Sequence, residues 1–442
     1  MSVRRSKWWP VLGIAGALAG SFVAYRANAE TMAITGGTVA IGDGSVPAQG
    51  TVVVRDGRIV AAGAGVAVPA GARVIDASGK WVAAGIVAGF SRLGLVEIDA
   101  VDQTNDGAAR NSPFNASLDV VSGLNPRVPA IAINRSHGIT RAVVAPDASG
   151  SMFAGQGAVI DLTSNANDVT KARAFQFVEF GEAGARIAGG SRPASHAMFR
   201  NMLAEARDYA RNPAGYDGRS KDAMLQRRDA EALLPVIDGQ IPLVVHVEGG
   251  PDILKILALK TEFPKLRLVL VGATEGWTVA REIAAAGVPV IASALNDLPA
   301  AFEQLAATQS NIGRMKAAGV QVSVGTIDDD DPRMPIRTTQ YAGNLVALTK
   351  IPGATGLDWA SAFAAITSKP AEALGLGGEI GSLRAGRRGD VVIWSGDPLE
   401  LSSAPERLWI DGVEQNLATR QTRLRDRYLK PQEGALPKAY DR

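Results

Sequence analysis

The run PLVVHVEGGPD (242–252) carries one histidine and one glutamate two residues apart, His246 and Glu248, and these are the first candidates for chemistry. Strand residues two apart share a face, so the imidazole can serve as a general base with the carboxylate orienting it. The alternative is a packing histidine beside a surface glutamate. Arg92, in GFSRLGL (89–95), is the third candidate. Its planar donors and fixed positive charge suit a carboxylate or a developing oxyanion, and its alternative role is an ion pair with Glu248 or Asp328. Asp328 opens an acidic run through Asp331 that reads either as a cation ligand or as a solvated loop. The chain has three histidines and no cysteine, which excludes thiolate nucleophiles and Cys-ligated zinc. Any metal must be held by His, Asp or Glu. The other two histidines, His137 before a strand-like run and His196 near a helix start, read as structural. No Gly-x-Ser-x-Gly elbow is present, and the Gly-rich GSMFAGQG (150–157) lacks the Lys-Ser/Thr of a phosphate loop.

The elements that must position these residues follow from the apolar pattern. Strand-like runs at 81–90, 138–146, 157–162, 174–180, 242–248, 266–273, 288–293 and 320–326 are mostly followed by helix-like stretches such as PDILKILALKTEF. That alternation predicts a (β/α)8 TIM barrel, with a doubly wound α/β sheet as competitor. In a barrel, chemistry sits where strands end, and His246 stands near the end of its run. The long connections 94–130 and 181–223 are expected to cover that mouth. Short β-branched runs separated by Gly and Asp turns occupy both ends of the chain, and they predict one composite β-sandwich built from the two termini. The expected layout is a signal peptide at 1–29, sandwich at 30–81, barrel at 82–376, sandwich again at 377–424 and a tail at 425–442.

Arg4, Arg5 and Lys7 precede the apolar run WWPVLGIAGALAGSFVAY, and Ala27, Asn28 and Ala29 follow it. This order predicts a cleaved export signal, hence a periplasmic or secreted protein; an uncleaved membrane anchor is the alternative. The formal charge of +2 includes four basic residues of that segment, Arg4, Arg5, Lys7 and Arg26, with no acidic one, so the remainder carries −2. No basic patch interleaved with aromatics is present, and nucleic acid is excluded as a partner.

VVVRDGRIVAAG and VIDASGKWVAAGIV near the start and GGEIGSLRAGRRGDVVIWSGDPLE near the end resemble the amidohydrolase superfamily, in particular its imidazolonepropionase-like branch. The resemblance implies a divalent, zinc-like ion activating water to hydrolyse non-peptide C–N bonds, as in cyclic amides. It also implies a Pro-Gly-aliphatic-aliphatic-Asp-x-His-x-His pattern closing the first strand. Here that frame reads Ala84, Gly85, Ile86, Val87, Ala88, Gly89, Phe90, Ser91, Arg92, with Phe90 and Arg92 at the histidine positions. His246 keeps the position of the fifth-strand ligand. Gly272, Ala273 and Thr274 stand where a sixth-strand histidine is usual, and Asp328 comes one residue after the place of the eighth-strand aspartate, which Ile327 occupies.

Of the usual ligands only His246 and Asp328 remain as metal candidates. Two readings stand. In the first, the chain is a metal-poor member that binds a small molecule, as a homo-oligomer or paired with an active homologous amidohydrolase. In the second, it is a hydrolase acting through a non-standard site of His246, Glu248, Arg92 and Asp328.

Overall fold

The apolar run 81–90 forms two strands in two different sheets. In the computed structural model, which describes residues 31–429 apart from 99, 164–168, 219–222, 295 and 328–332, it divides at Gly85. The segment 1–29 expected to be an export signal, Asp328 with its acidic run, and the tail beyond 429 lie outside the described residues.

The first sheet takes strands from both ends of the chain: β1 (Thr31–Ala40), β2 (Ala48–Arg55), β3 (Arg58–Gly63), β4 (Arg73–Asp76) and β5 (Trp81–Ala84). The barrel follows with β6 (Ile86–Ser91), β7 (Ile139–Val144), β8 (Phe153–Asp161), β9 (Val169–Glu179), β10 (Leu243–Val247), β11 (Leu268–Gly272), β12 (Val290–Ala292) and β13 (Val322–Val324). The chain then returns to the first sheet as β14 (Val391–Trp394), β15 (Pro405–Ile410) and β16 (Val413–Glu414). Its order is β16-β15-β14-β5-β1-β2-β3, with β4 beside β1. The antiparallel pairing of β14 with β5 joins the two ends of the chain in one separate sheet.

Gly85 is the handover between the sheets. A Cβ there would lie 2.2 Å from Thr140 Oγ1, so no other residue lets the strand cross that closely from one sheet to the next. The second sheet runs in order from β13 to β6. Its ends meet where Thr326 N and Oγ1 donate to Phe90 O at 3.2 and 2.7 Å, which leaves the barrel nearly closed. Phe90, Val143, Val159, Phe175, Phe177, Val244, Val269, Val271 and Ile291 fill its interior. Leu243, Val245 and Val247 face outward against helices. With both faces buried, strands such as β10 and β11 are nearly continuous apolar runs.

Helices α1 (Pro129–Ser136), α2 (Gly181–Ile187), α3 (Arg192–Arg211), α4 (Arg227–Ile237), α5 (Gly250–Glu262), α6 (Ala280–Ala286), α7 (Asn311–Ala317), α8 (Thr338–Ala347), α9 (Trp359–Ala364) and α10 (Ser368–Ala373) accompany the barrel. A last helix, α11 (Arg420–Leu429), follows the terminal sheet. α5 shows how they dock: Ile253, Ile256 and Leu259 recur at helical spacing and are buried.

The third barrel strand departs from the regular alternation. β8 runs antiparallel to both β7 and β9. The connections on either side of it, 145–152 and 162–168, are only eight and seven residues long, and a parallel crossover needs about a dozen residues or more. The chain therefore doubles back on itself, and Phe153 lies at the mouth while Asp161 lies at the base, opposite Arg141.

Arg141, fully buried on β7, locks the barrel base to the terminal sheet. Its Nε and Nη2 donate to Asp390 at 2.7 and 2.9 Å, Nη2 also to Asp411 at 2.8 Å, and Nη1 to Thr170 at 2.6 Å and Asp161 at 3.4 Å. Burial opposes its charge, but the three carboxylates outweigh it and hold the pKa above the ordinary arginine value.

Candidate active site

Three strand ends build the polar cluster at the mouth. β9 and β10 pair in parallel with His246 opposite Glu179. His246 shares the inward parity of Val244, and Glu179 that of Phe177. The imidazole lies between two carboxylates: Nδ1 is 2.7 Å from Glu179 Oε1 and Nε2 is 2.8 Å from Glu248 Oε1. Glu248, only 3% exposed, also accepts from Thr274 N at 2.8 Å through Oε2.

The backbone after β11 is bent to deliver that last bond. Gly272 has φ +87° and Ala273 has φ +48°. This left-handed pair turns Thr274 N toward Glu248. A Cβ on Gly272 would fall 2.2 Å from Glu248 Oε1, so this glycine is the space that the carboxylate occupies. Ala273 is held by its own bonds, N to Val247 O at 2.8 Å and O from Asn311 Nδ2 at 2.9 Å.

Burial disfavours a charged His246, but the attraction and hydrogen bonds of Glu179 and Glu248 prevail and raise its pKa well above the usual imidazole value. Glu248 shows the converse. Burial pushes it up, yet His246 and Thr274 bring it below the ordinary glutamate range. Both ring nitrogens thus lie within hydrogen-bond reach of a carboxylate oxygen, and a doubly protonated imidazole would donate to each. The two carboxylates lie on opposite sides of the ring and do not converge on a common point. Among the described residues, no three His, Asp or Glu side chains could hold a metal ion together.

Arg92 stands apart from this cluster. Its Nε donates to Asp147 Oδ1 at 2.7 Å, and Nη2 makes a second, short contact with the same oxygen. The guanidinium lies 4.8 Å from the Phe90 ring centroid and 5.9 Å from that of Phe177. No hydrogen bond or ion pair joins it to His246 or Glu248 among the described residues. Of the two expected ion-pair partners, Glu248 is already bonded by His246 and Thr274 while Arg92 bonds Asp147; Asp328 lies outside the described residues. Arg92 Nη1 is buried with no hydrogen-bond partner among the described residues.

The long connections do reach the mouth. Asp147 N donates to Gly107 O at 2.7 Å, and Glu303 Oε2, on the segment after β12, accepts from Glu182 N at 2.8 Å and Arg192 Nη2 at 3.3 Å. Burial pushes the Glu303 carboxyl up to about 6. A cleft of about 1040 Å³ opens beside Asp147, with Gly107, Pro146, Gln156, Ser117 and Arg173 among its walls. None of His246, Glu248, Glu179 or Arg92 lines it.

His246 and Glu248 are therefore brought together as the sequence suggests, while Arg92 is not brought to them. Sequence reasoning missed Glu179 and Asp147. The signal for Glu179 was a lone acid at the end of the run AFQFVEF; Asp147 carried none beyond its place after a strand.

Comparisons with known proteins agree with this architecture. A family model described as "Amidohydrolase family" matches residues 277–414. The amidohydrolase tasK of Hapsidospora irregularis is 24% identical over 383 residues, which is 79% of this chain and 38% of that protein. An imidazolonepropionase of Acidiphilium cryptum (strain JF-5) is 35% identical over 124 residues, 26% of this chain and 29% of that protein. The chain thus covers well under half the length of either curated relative. The crystal structure of an amidohydrolase from Thermotoga maritima MSB8 superposes with a TM-score of 0.76 at 26% identity, covering 87% of this chain and 99% of that one. On the fold, the terminal motifs and these likenesses together, the chain belongs to the amidohydrolase superfamily, in its imidazolonepropionase-like branch.

Proposed function

We propose that this chain is an exported, metal-poor member of the superfamily that binds a small molecule at the barrel mouth, as a homo-oligomer or beside an active homologous amidohydrolase. Superfamily membership supports a hydrolase function in the broad sense. The observation that carries the finer reading is the double engagement of His246 by Glu179 and Glu248. A metal ligand must offer a lone pair, and both ring nitrogens of His246 are already engaged by carboxylates. A catalytic zinc ordinarily takes three protein ligands. Here Phe90 and Arg92 stand at two of the expected positions, and Gly272 at a third is space for Glu248. The described residues do not fit such an ion.

Binding is supported by the cleft beside Asp147. Arg173 on its wall has φ +48°, and left-handed backbone at a non-glycine residue is strain of the kind that collects at ligand sites. Export is supported by the leader pattern of residues 1–29.

Metal analysis of the purified protein tests this reading. Zinc, nickel and manganese are expected far below one equivalent and unchanged in His246→Ala; a near-stoichiometric metal that His246→Ala removes refutes it. The second reading, a hydrolase using His246, Glu248, Arg92 and Asp328, is favoured by Glu303, a mouth carboxyl that titrates near neutrality as acid–base groups do. Turnover of lactams, hydantoins or acylated amino acids that Arg92→Ala and His246→Ala both abolish would establish it.

A further inference from the structure

On the outer flank of the barrel, α1 meets the segment entering α11, and a cleft of about 440 Å³ lies between them. Four arginines line it, Arg127, Arg135, Arg420 and Arg423, and no Asp or Glu does. None of the four forms an ion pair among the described residues, whereas Arg141, the other deeply buried arginine named above, is surrounded by three carboxylates.

Arg135 forms the floor. It is only 4% exposed. Its Nε donates to Asn416 O at 3.2 Å and its Nη1 to Leu162 O at 2.7 Å, both neutral carbonyl oxygens. Nη2 has no hydrogen-bond partner among the described residues, and it is absent from the polar atoms that are sealed from solvent without a partner. It is the arm left to face the cleft. Burial alone acts on this guanidinium and holds its pKa below the ordinary arginine value, with no carboxylate to offset it. A buried charge in proteins is ordinarily paired, and none of the described residues supplies a counter-charge to this one.

The surroundings favour an anion. α1 begins in the same cleft at Pro129, with Val128 as its N-cap and no side chain bonding to its first turn, so its positive end is left open. Arg423 Nε reaches only Thr419 O, at 3.3 Å, and the Arg127 and Arg420 side chains are exposed at the rim. Guanidinium forks match the oxygens of a phosphate, and several together favour a dianion over a single carboxylate. The volume exceeds that of one phosphate group and suits a larger molecule bearing one.

We propose that this cleft binds a phosphate-bearing molecule, with Arg135 at its floor and Arg127, Arg420 and Arg423 closing on it from the rim. The phosphate can come from a soluble ester or from a phospholipid headgroup. α11 bears on the second source, since Leu424 and Tyr428, four residues apart, are exposed beside its arginines.

The test uses the full chain with two probes, inorganic phosphate by titration calorimetry and vesicles of phosphatidylcholine with or without phosphatidylglycerol by co-flotation. Phosphate binding that weakens at least tenfold in Arg135→Gln assigns a soluble ester. Flotation only with phosphatidylglycerol vesicles, lost in the same variant, assigns a headgroup. Because Arg135→Gln removes two structural hydrogen bonds, the exposed triple variant Arg127→Gln, Arg420→Gln, Arg423→Gln must give the same loss with an unchanged melting temperature. Binding of neither probe by the unaltered chain, or equal binding by the triple variant, overturns the proposal.

Discussion

Gly272→Ala isolates the design of the mouth in a single methyl group. The residue sits at φ +87°, and an L side chain in the left-handed region costs about 1–2 kcal/mol. The added Cβ also meets Glu248 Oε1 at 2.2 Å, closer than side-chain atoms approach one another. The carboxylate must withdraw and give up its bond to His246 Nε2. A hydrogen bond between charged groups contributes about 1.5–3 kcal/mol. Together these give an expected destabilisation of about 3–5 kcal/mol at neutral pH. Urea unfolding measures it as a lower midpoint at unchanged slope. NMR titration of the imidazole gives an independent readout, because losing one of two carboxylate partners must lower the His246 pKa. If Gly272→Ala unfolds within about 1 kcal/mol of the unaltered chain and His246 titrates as before, the glycine is not the space that holds Glu248 and the account of the mouth is wrong.

Arg141→Ala leaves Asp390 buried without its partner. A loss of about 3–5 kcal/mol is expected from breaking such a pair, and Arg141→Ala with Asp390→Asn should recover part of it; equal losses for the single and double variants in denaturant titrations would dissociate the two residues. Glu303 supplies a pH signature. Burial holds its folded pKa at about 6, above the ordinary glutamate value of 4.5, so between these values the unfolded chain releases the proton first and stability falls as pH rises. Glu303→Gln removes that penalty, and its stability relative to the unaltered chain should rise by about 2 kcal/mol from pH 4.5 to pH 7.5. A pH-independent difference between the two would exclude burial of the carboxylate as the cause.

Most barrel strands were legible because burial on both faces makes them short apolar runs; β8 and β9, longer and interrupted by Gln156, Lys171 and Arg173, were read only in part, over 157–162 and 174–180. Strand direction was not legible. The side-chain period is the same whichever way a strand runs, and only the short connections around β8 hint that no crossover helix fits there. The split at Gly85 was invisible for a related reason, since WVAA and IVAGFS are both apolar and the requirement for a glycine comes from Thr140, far along the chain. His246 and Glu248 were found by spacing within one strand. Glu179 was missed because it reaches His246 from the neighbouring strand, and such pairing is a property of the sheet. Gly272 reads in the sequence as a ligand that is absent; in the fold it is room made for Glu248. Arg92 follows β6, but its partner Asp147 follows β7, and nothing local to Arg92 distinguishes that aspartate from the others.

The reversed third strand has a consequence for how the molecule assembles. β7, β8 and β9 are neighbours both along the chain and in the sheet, so their pairing closes only short loops and loses little chain entropy. β6 and β13 meet through Phe90 and Thr326, which stand at opposite ends of the barrel sequence. Local pairings form fastest and distant ones wait for them. In pulsed hydrogen exchange the amides of Val143, Val159 and Val178 should be protected before that of Thr326, and the reverse order would rule this sequence of events out. The meander is then the seed of the barrel, and the seam beside Phe90 is the last joint to seal.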